Sequence, residues 1–176
     1  MAVRDSRKVI KVKHLKYFKY LCHHKWYVFK ECWRLGISWR GLIHDWSKFL
    51  PSEWFPYVEY FYGDFGINNK CPAKWVEHPY EKINCSIVSR NFDIAWLYHQ
   101  KRNKHHWQYW VLLQDSEETK YLEIPQKHLL EMAADWIGAS KTIRGKDAKA
   151  IEWYNKVKEQ TFLNEKTRIK FERLLK

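Results

Sequence analysis

Glycine and proline are scarce in this chain, six and five among 176 residues, which excludes a fold built on many tight turns and favours long helices. No apolar run approaches the length needed to cross a bilayer, because Lys or Arg interrupts every candidate. The N-terminal Met-Ala-Val-Arg-Asp-Ser-Arg-Lys lacks the apolar core of a signal peptide, and Cys22, Cys32, Cys71 and Cys85 form no Cys-x-x-Cys pair. Together these absences read as a cytoplasmic chain with reduced thiols and no membrane partner. Internal repeats, low-complexity tracts and recognisable nucleic-acid-binding motifs are also missing. Acidic residues are in deficit, 20 against 32 Lys plus Arg, for a net charge of +12.

What is present is aromatic and basic. Hydrophobic residues make up 45% of the chain, which excludes disorder, and eleven Trp are too many for surface decoration: some line a core, and some can wall a pocket. The length suits a single domain, residues 1–176, without a linker. Basic residues are spread along the chain rather than gathered in a tail. A diffuse excess of this kind fits a small phosphorylated ligand, weak nucleic-acid contact or plain solubility.

Apolar spacing predicts a long helix from about Lys8 to Leu35, closed by Gly36, with Leu21, Val28, Cys32 and Leu35 on the buried stripe and Phe18 and His14 extending it. His24 falls on the edge of that stripe and His23 points away, so His24 is the better ligand candidate; His14 is a second candidate on the same face that reads better as a packed core histidine. Ser38 is the expected N-cap of a short second helix carrying Trp39, Leu42, Ile43 and Trp46 inward, with His44 and Asp45 at its far end. The short connection from Gly36 to Ser38 makes these helices close neighbours and brings His24 within reach of His44 and Asp45. Pro51 suits the first turn of a third helix through Tyr62, with Glu53 near its start.

Gly63 to Pro79, including His78, reads as an irregular connection. A fourth helix is predicted from about Ser86 to Lys101, with Phe92, Ala95, Trp96 and His99 on one side. It runs into a corner dense in metal and phosphate donors: His99, Arg102, Lys104, His105 and His106. Tyr109–Leu113 and Lys120–Ile124 form a candidate hairpin. Pro125 opens a helix to about Ser140 in which Ala133, Ala134, Gly138 and Ala139 permit close packing. Asp135 is the anomaly there, a carboxylate inside Met-Ala-Ala-Asp-Trp-Ile-Gly-Ala that needs a cation or several donors if buried. Glu131 and His128 share its general side. Two amphipathic segments, about Ala148–Glu159 and Asn164–Leu175, read as packing helices.

The order His24, His44-Asp45, His99, His105-His106, Asp135 is similar to the ligand order of HD-domain metal-dependent phosphohydrolases. His24-Lys25-Trp26-Tyr27-Val28 resembles that superfamily's first helix, and Ile43-His44-Asp45-Trp46-Ser47-Lys48 resembles its apolar stretch ending in His-Asp. The chain also resembles a family of uncharacterised bacterial and phage proteins, through His44-Asp45-Trp46-Ser47-Lys48-Phe49, His105-His106-Trp107-Gln108-Tyr109-Trp110 and Glu131-Met132-Ala133-Ala134-Asp135-Trp136. The first resemblance implies an all-α, HD-domain-like helical bundle with at most one small β-hairpin.

It implies in turn that His24, His44, Asp45 and Asp135 hold one divalent metal ion: Mn, Fe, Co, Zn or Mg. His99 and one of His105 or His106 would hold a second, bridged by Asp45. The implied activity is hydrolysis of a nucleotide or related small phosphorylated substrate through a metal-bound water. Lys48 and Glu53 would be catalytic, Lys48 at the phosphate or leaving group and Glu53 orienting water; Arg102 and Lys104 would bind substrate phosphates. Two other readings use the same residues: a di-iron oxygenase, and a non-catalytic nucleotide or nucleic-acid binder with a structural metal. A homo-oligomer is compatible with all three.

Overall fold

The computed structural model describes residues 6–65, 79–115 and 118–176, with side chains described for 11–65, 84–115 and 118–176. Most of the irregular connection expected from Gly63 to Pro79, His78 included, lies outside the described residues, as does the hairpin turn at Ser116-Glu117. Among the described residues the chain is all-α, with seven helices and one two-stranded sheet. The helices are α1 (Ser6–Arg34), α2 (Ser38–Ile43), α3 (Pro51–Tyr62), α4 (Pro79–Arg102), α5 (Gln126–Arg144), α6 (Ala150–Val157) and α7 (Glu165–Leu174). Strands β1 (Val111–Leu112) and β2 (Lys120–Tyr121) pair antiparallel, Val111 opposite Tyr121 and Leu112 opposite Lys120. None of the described helices is long and apolar enough to cross a membrane.

The chain divides into two compact units, one of residues 1–21 and 46–99, the other of residues 22–45 and 100–176. In the first, Tyr17, Leu21, Tyr57, Val58 and Ala95 form the buried core, with Trp54, Phe92 and Trp96 against it. Pro51 opens α3 at a position where its missing N–H is no loss. His14 is a packed histidine here: its Nδ1 accepts the Trp54 Nε1–H at 2.8 Å, and the rings stack. On α1 the buried phase is Tyr17, Leu21, His24, Val28 and Cys32, and Phe18, expected on that stripe, is exposed. One residue of helical phase, about 100°, separates the two.

The second unit has two clusters. Ile124, Leu129, Met132, Ala133, Tyr154 and Phe171 lead the larger, which α5, α6 and α7 build together; Asn164 caps α7 by accepting from Lys166 N–H. Val28, Cys32 and Ala134 form the smaller one, where α1 meets α5. Gly36, at φ +74°, ends α1, and Ile37 N–H reaches back to Cys32 C=O at 2.9 Å. The face of α2 is opposite to expectation: Trp39, Leu42 and Ile43 are exposed, as is Trp46 beyond it. Gly41 turns toward α1 instead, and a Cβ there would stand 2.8 Å from Cys32 Cβ and 2.9 Å from Phe29 Cα. Over six residues, one close backbone approach outweighs the apolar pattern.

Cys22 and Cys32 are free thiols, whereas Cys85 is half of a disulfide, against the reduced state expected for all four. Sequence spacing carries no information on which thiols meet in space.

Gly138 sets the approach of α5 to α1. A Cβ there would lie 2.6 Å from Val28 Cγ2 and 2.9 Å from Val28 N, a backbone atom that cannot rotate away. Overpacking of this kind costs about 1–3 kcal/mol, more than the roughly 1 kcal/mol that Gly→Ala returns in helix propensity. Gly138→Ala is therefore expected to destabilise the chain in urea unfolding, and an increase in stability would contradict the close approach.

Candidate metal centre

The second unit brings four of the sequence-predicted ligands to one point. His24 comes from the buried stripe of α1 and Asp135 from α5, which Gly138 and Ala134 hold against that stripe. His44 and Asp45 follow α2 in a turn. His44 leaves helical geometry at φ −51°, ψ 131°, and Asp45 is left-handed at φ +51°, the one described non-glycine residue with positive φ. Such a backbone costs of order 1–3 kcal/mol and is commonest at sites whose surroundings require it; Asp tolerates it better than most. Lys25 Nζ helps fix the turn by donating to the His44 carbonyl.

The donor spacing suits a cation. His24 Nε2 lies 3.2 Å from Asp135 Oδ1 and 3.7 Å from Asp45 Oδ2; His44 Nε2 lies 3.4 Å from each of the same two oxygens. Donors about 2.0–2.2 Å from one ion stand about 3.3–3.6 Å apart in a tetrahedron and about 3 Å apart along an octahedral edge. The four side chains meet that requirement, and their ligand atoms all lie within 4.8 Å of one another. His44 Nε2, wholly buried, is within reach of both carboxylates without hydrogen-bond geometry to either.

Asp45 serves two groups of side chains. Its Oδ2 faces His24 and His44, while Oδ1 lies 3.3 Å from His105 Nε2. His105 is buried and His106 half-buried; with Asp45 they offer a second set of atoms within 4.8 Å. Asn103 C=O accepts His106 N–H at 3.1 Å, and Lys104 C=O accepts Trp110 Nε1–H at 2.8 Å, so the corner after α4 is held from both sides. Arg102 and Lys104 are exposed at the same corner, Lys104 with its Nζ 5.6 Å from the Tyr109 ring centre.

Behind the histidines lies a group that the sequence places only on the general side of Asp135. Glu131, buried one turn earlier on α5, has Oε1 3.3 Å from His44 Nδ1 and 3.3 Å from His105 Nδ1. Its Oε2 accepts Arg40 Nε–H at 2.7 Å, and Arg40 Nη2 approaches His128 Nδ1 at 2.8 Å. Arg40 was not foreseen. Its only signal is a lone charge on a short apolar helix, Ser-Trp-Arg-Gly-Leu-Ile, which reads as solvent-facing.

His99 belongs to the first unit and is fully buried. Its Nδ1 pairs with Glu53 Oε2 at 2.8 Å, and Ser47 Oγ donates to the same oxygen at 3.0 Å. Glu53 is 0% exposed, and this geometry fixes the His99 ring. Lys48 is half-buried, with its Nζ 6.0 Å from the Tyr57 ring centre.

Protonation follows the charges. Burial pulls His44 down, but Asp45, Asp135 and Glu131 outweigh it and hold the imidazole well above the ordinary 6.5. Burial and the neighbouring His44 oppose protonation of His105, and Asp45 and Glu131 still raise it. Burial raises Asp135, yet His24 and His44 hold it well below 3.8. Burial and Arg40 push His128 down to about 4.

A family model for a family of unknown function, DUF5662, matches residues 13–176, and the chain belongs to that family. Neither the curated proteins nor the solved structures contain a match to the chain.

These shifts fix the pH dependence of the metal-free chain. The raised His44 and His105 contribute stability that is complete below 6.5 and lost as pH rises through their folded values. Depressed Asp135 contributes stability that is complete above 3.8 and lost as pH falls through its folded value. His128 opposes the other histidines, since its contribution is complete above 6.5 and wanes toward 4. Thermal melting in chelator is therefore expected to peak near the upper end of the window from 3.8 to 6.5 and to decline above it. A divalent ion, which needs deprotonated imidazole, should stabilise progressively more as pH rises through the same region. Metal-free stability that climbs steadily past neutrality would contradict these assignments.

Proposed function

We propose that this member of DUF5662 is a metal-dependent phosphohydrolase acting on a nucleotide or a related small phosphorylated substrate. The observation that carries the reading is the set His24, His44, Asp45 and Asp135, whose donor separations of 3.2–3.7 Å fit one divalent ion and whose two carboxylates match its charge. The order of these ligands along the chain, similar to that of HD-domain phosphohydrolases, supports it, as does the net charge of +12. A divalent ion there supplies a water acidified toward neutrality and positive charge for a phosphoryl oxygen.

The chain's own residues divide the remaining work. His24, His44 and Asp135 hold the ion with Asp45 Oδ2, and Asp45 Oδ1 with His105 and His106 offers a second position. Arg102 and Lys104, exposed at the corner that carries His105, bind substrate phosphate.

The test is turnover of nucleoside mono-, di- and triphosphates and cyclic nucleotides by purified protein supplied with Mn or Co. Asp45→Asn and Asp135→Asn should each lower turnover more than about a hundredfold, beyond the usual effect of changing groups that only support a ligand. Inactivity with every metal and substrate would overturn the reading. Bound iron with oxygen consumption and no hydrolysis would replace it with the oxygenase.

A further inference from the structure

We infer that Glu131 is the positioning residue of this centre: it stays outside the coordination of the ion and fixes His44 and His105 together, so that both present Nε2. The inference rests on the metal reading above and adds which face of each ring the ion takes. A neutral imidazole carries one N–H, and the nitrogen that carries it decides which lone pair is left for a metal. A carboxylate can only accept. Glu131 Oε1, at 3.3 Å from both Nδ1 atoms, therefore holds the protons of both rings on Nδ1.

His44, His105 and Glu131 are also close enough together to hold an ion themselves. Charge decides between the two faces. Arg40 Nε–H is bound at 2.7 Å to the other oxygen of the Glu131 carboxylate. An ion on Oε1 would share a single negative charge with a guanidinium that stays protonated. On the Nε2 face, Asp45 and Asp135 bring two negative charges and the donor spacing already described. The ion belongs on that side, and Glu131 with Arg40 forms its outer support.

One oxygen serving two rings has a consequence. His44 belongs to the first ligand set and His105, through Asp45 Oδ1, to the second. Loss of the Glu131 charge should weaken both positions at once. Glu131→Gln keeps the shape, but an amide presents one accepting and one donating end, so Arg40 and the two rings can no longer all meet an acceptor.

The test uses the full chain with nitrogen-15-labelled histidine, loaded with zinc because the ion is diamagnetic. Long-range nitrogen–proton correlation reports, ring by ring, which nitrogen is protonated and which binds metal. For His44 and His105 we expect protonated Nδ1 and zinc on Nε2, and for Glu131→Gln a zinc affinity lowered about 10- to 100-fold. Zinc on Nδ1 of either ring, or full affinity in the variant, would overturn this inference and leave the metal reading standing. If zinc perturbs none of the nine histidines, both fall. Should the variant fail to fold, the ring assignment in the unaltered chain decides alone.

Discussion

Asp45 and Glu131 are carboxylates buried in one helical unit, with Asp135 half-buried beside them, and positive charge must follow them there. Ionised carboxylates out of water are tolerated only when paired, protonated or bound to a cation. Arg40 answers one of the three. The imidazoles of His44 and His105, biased toward protonation by these carboxylates against the pull of burial, can answer the other two. A divalent ion does the same with one particle. Protons and a divalent ion would then compete for the same imidazole nitrogens.

Small residues make the meeting geometrically possible. Asp135 reaches His24 because Gly138 and Ala134 let α5 approach Val28 and Cys32 on α1. Gly41 performs the same service for α2 at Cys32 and Phe29, and so fixes where the His44-Asp45 turn begins. Two close approaches to one stretch of α1 thus place donors from three segments around one point. The left-handed backbone at Asp45 is the local cost, and it lets that carboxylate face two groups of imidazoles with its two oxygens.

Much of this was legible in the sequence, and what was not has physical reasons. The all-α character, the small hairpin and the packing helices followed from apolar spacing and from the scarcity of glycine and proline. Asp135 stood out because nothing polar surrounds it in the chain. His24 was separable from His23 by a single step of helical phase. The facing of α2 was not legible: six residues hold under two turns, too few for a periodic signal, and Trp39, Leu42 and Ile43 yielded to the packing of Gly41. Glu131 and Arg40 lie 91 positions apart; Arg40 looks solvated in its own segment, and Glu131 is placed there only on the general side of Asp135. Only their meeting gives them meaning, and no local pattern encodes it.

One arrangement occurs in both units. Glu131 stands behind His44 and His105, and in the other unit Glu53 stands behind His99, each carboxylate against Nδ1. In both cases the acid is wholly or almost wholly buried, and in both a second donor, Arg40 Nε or Ser47 Oγ, restrains it. A carboxylate so restrained cannot rotate to serve another purpose. It restrains the orientation of the ring, so less side-chain rearrangement is left for a ligand to bring about. Histidines kept for packing alone need no such backing. His14, whose Nδ1 takes an indole N–H within an aromatic stack, shows the plainer alternative in the same protein.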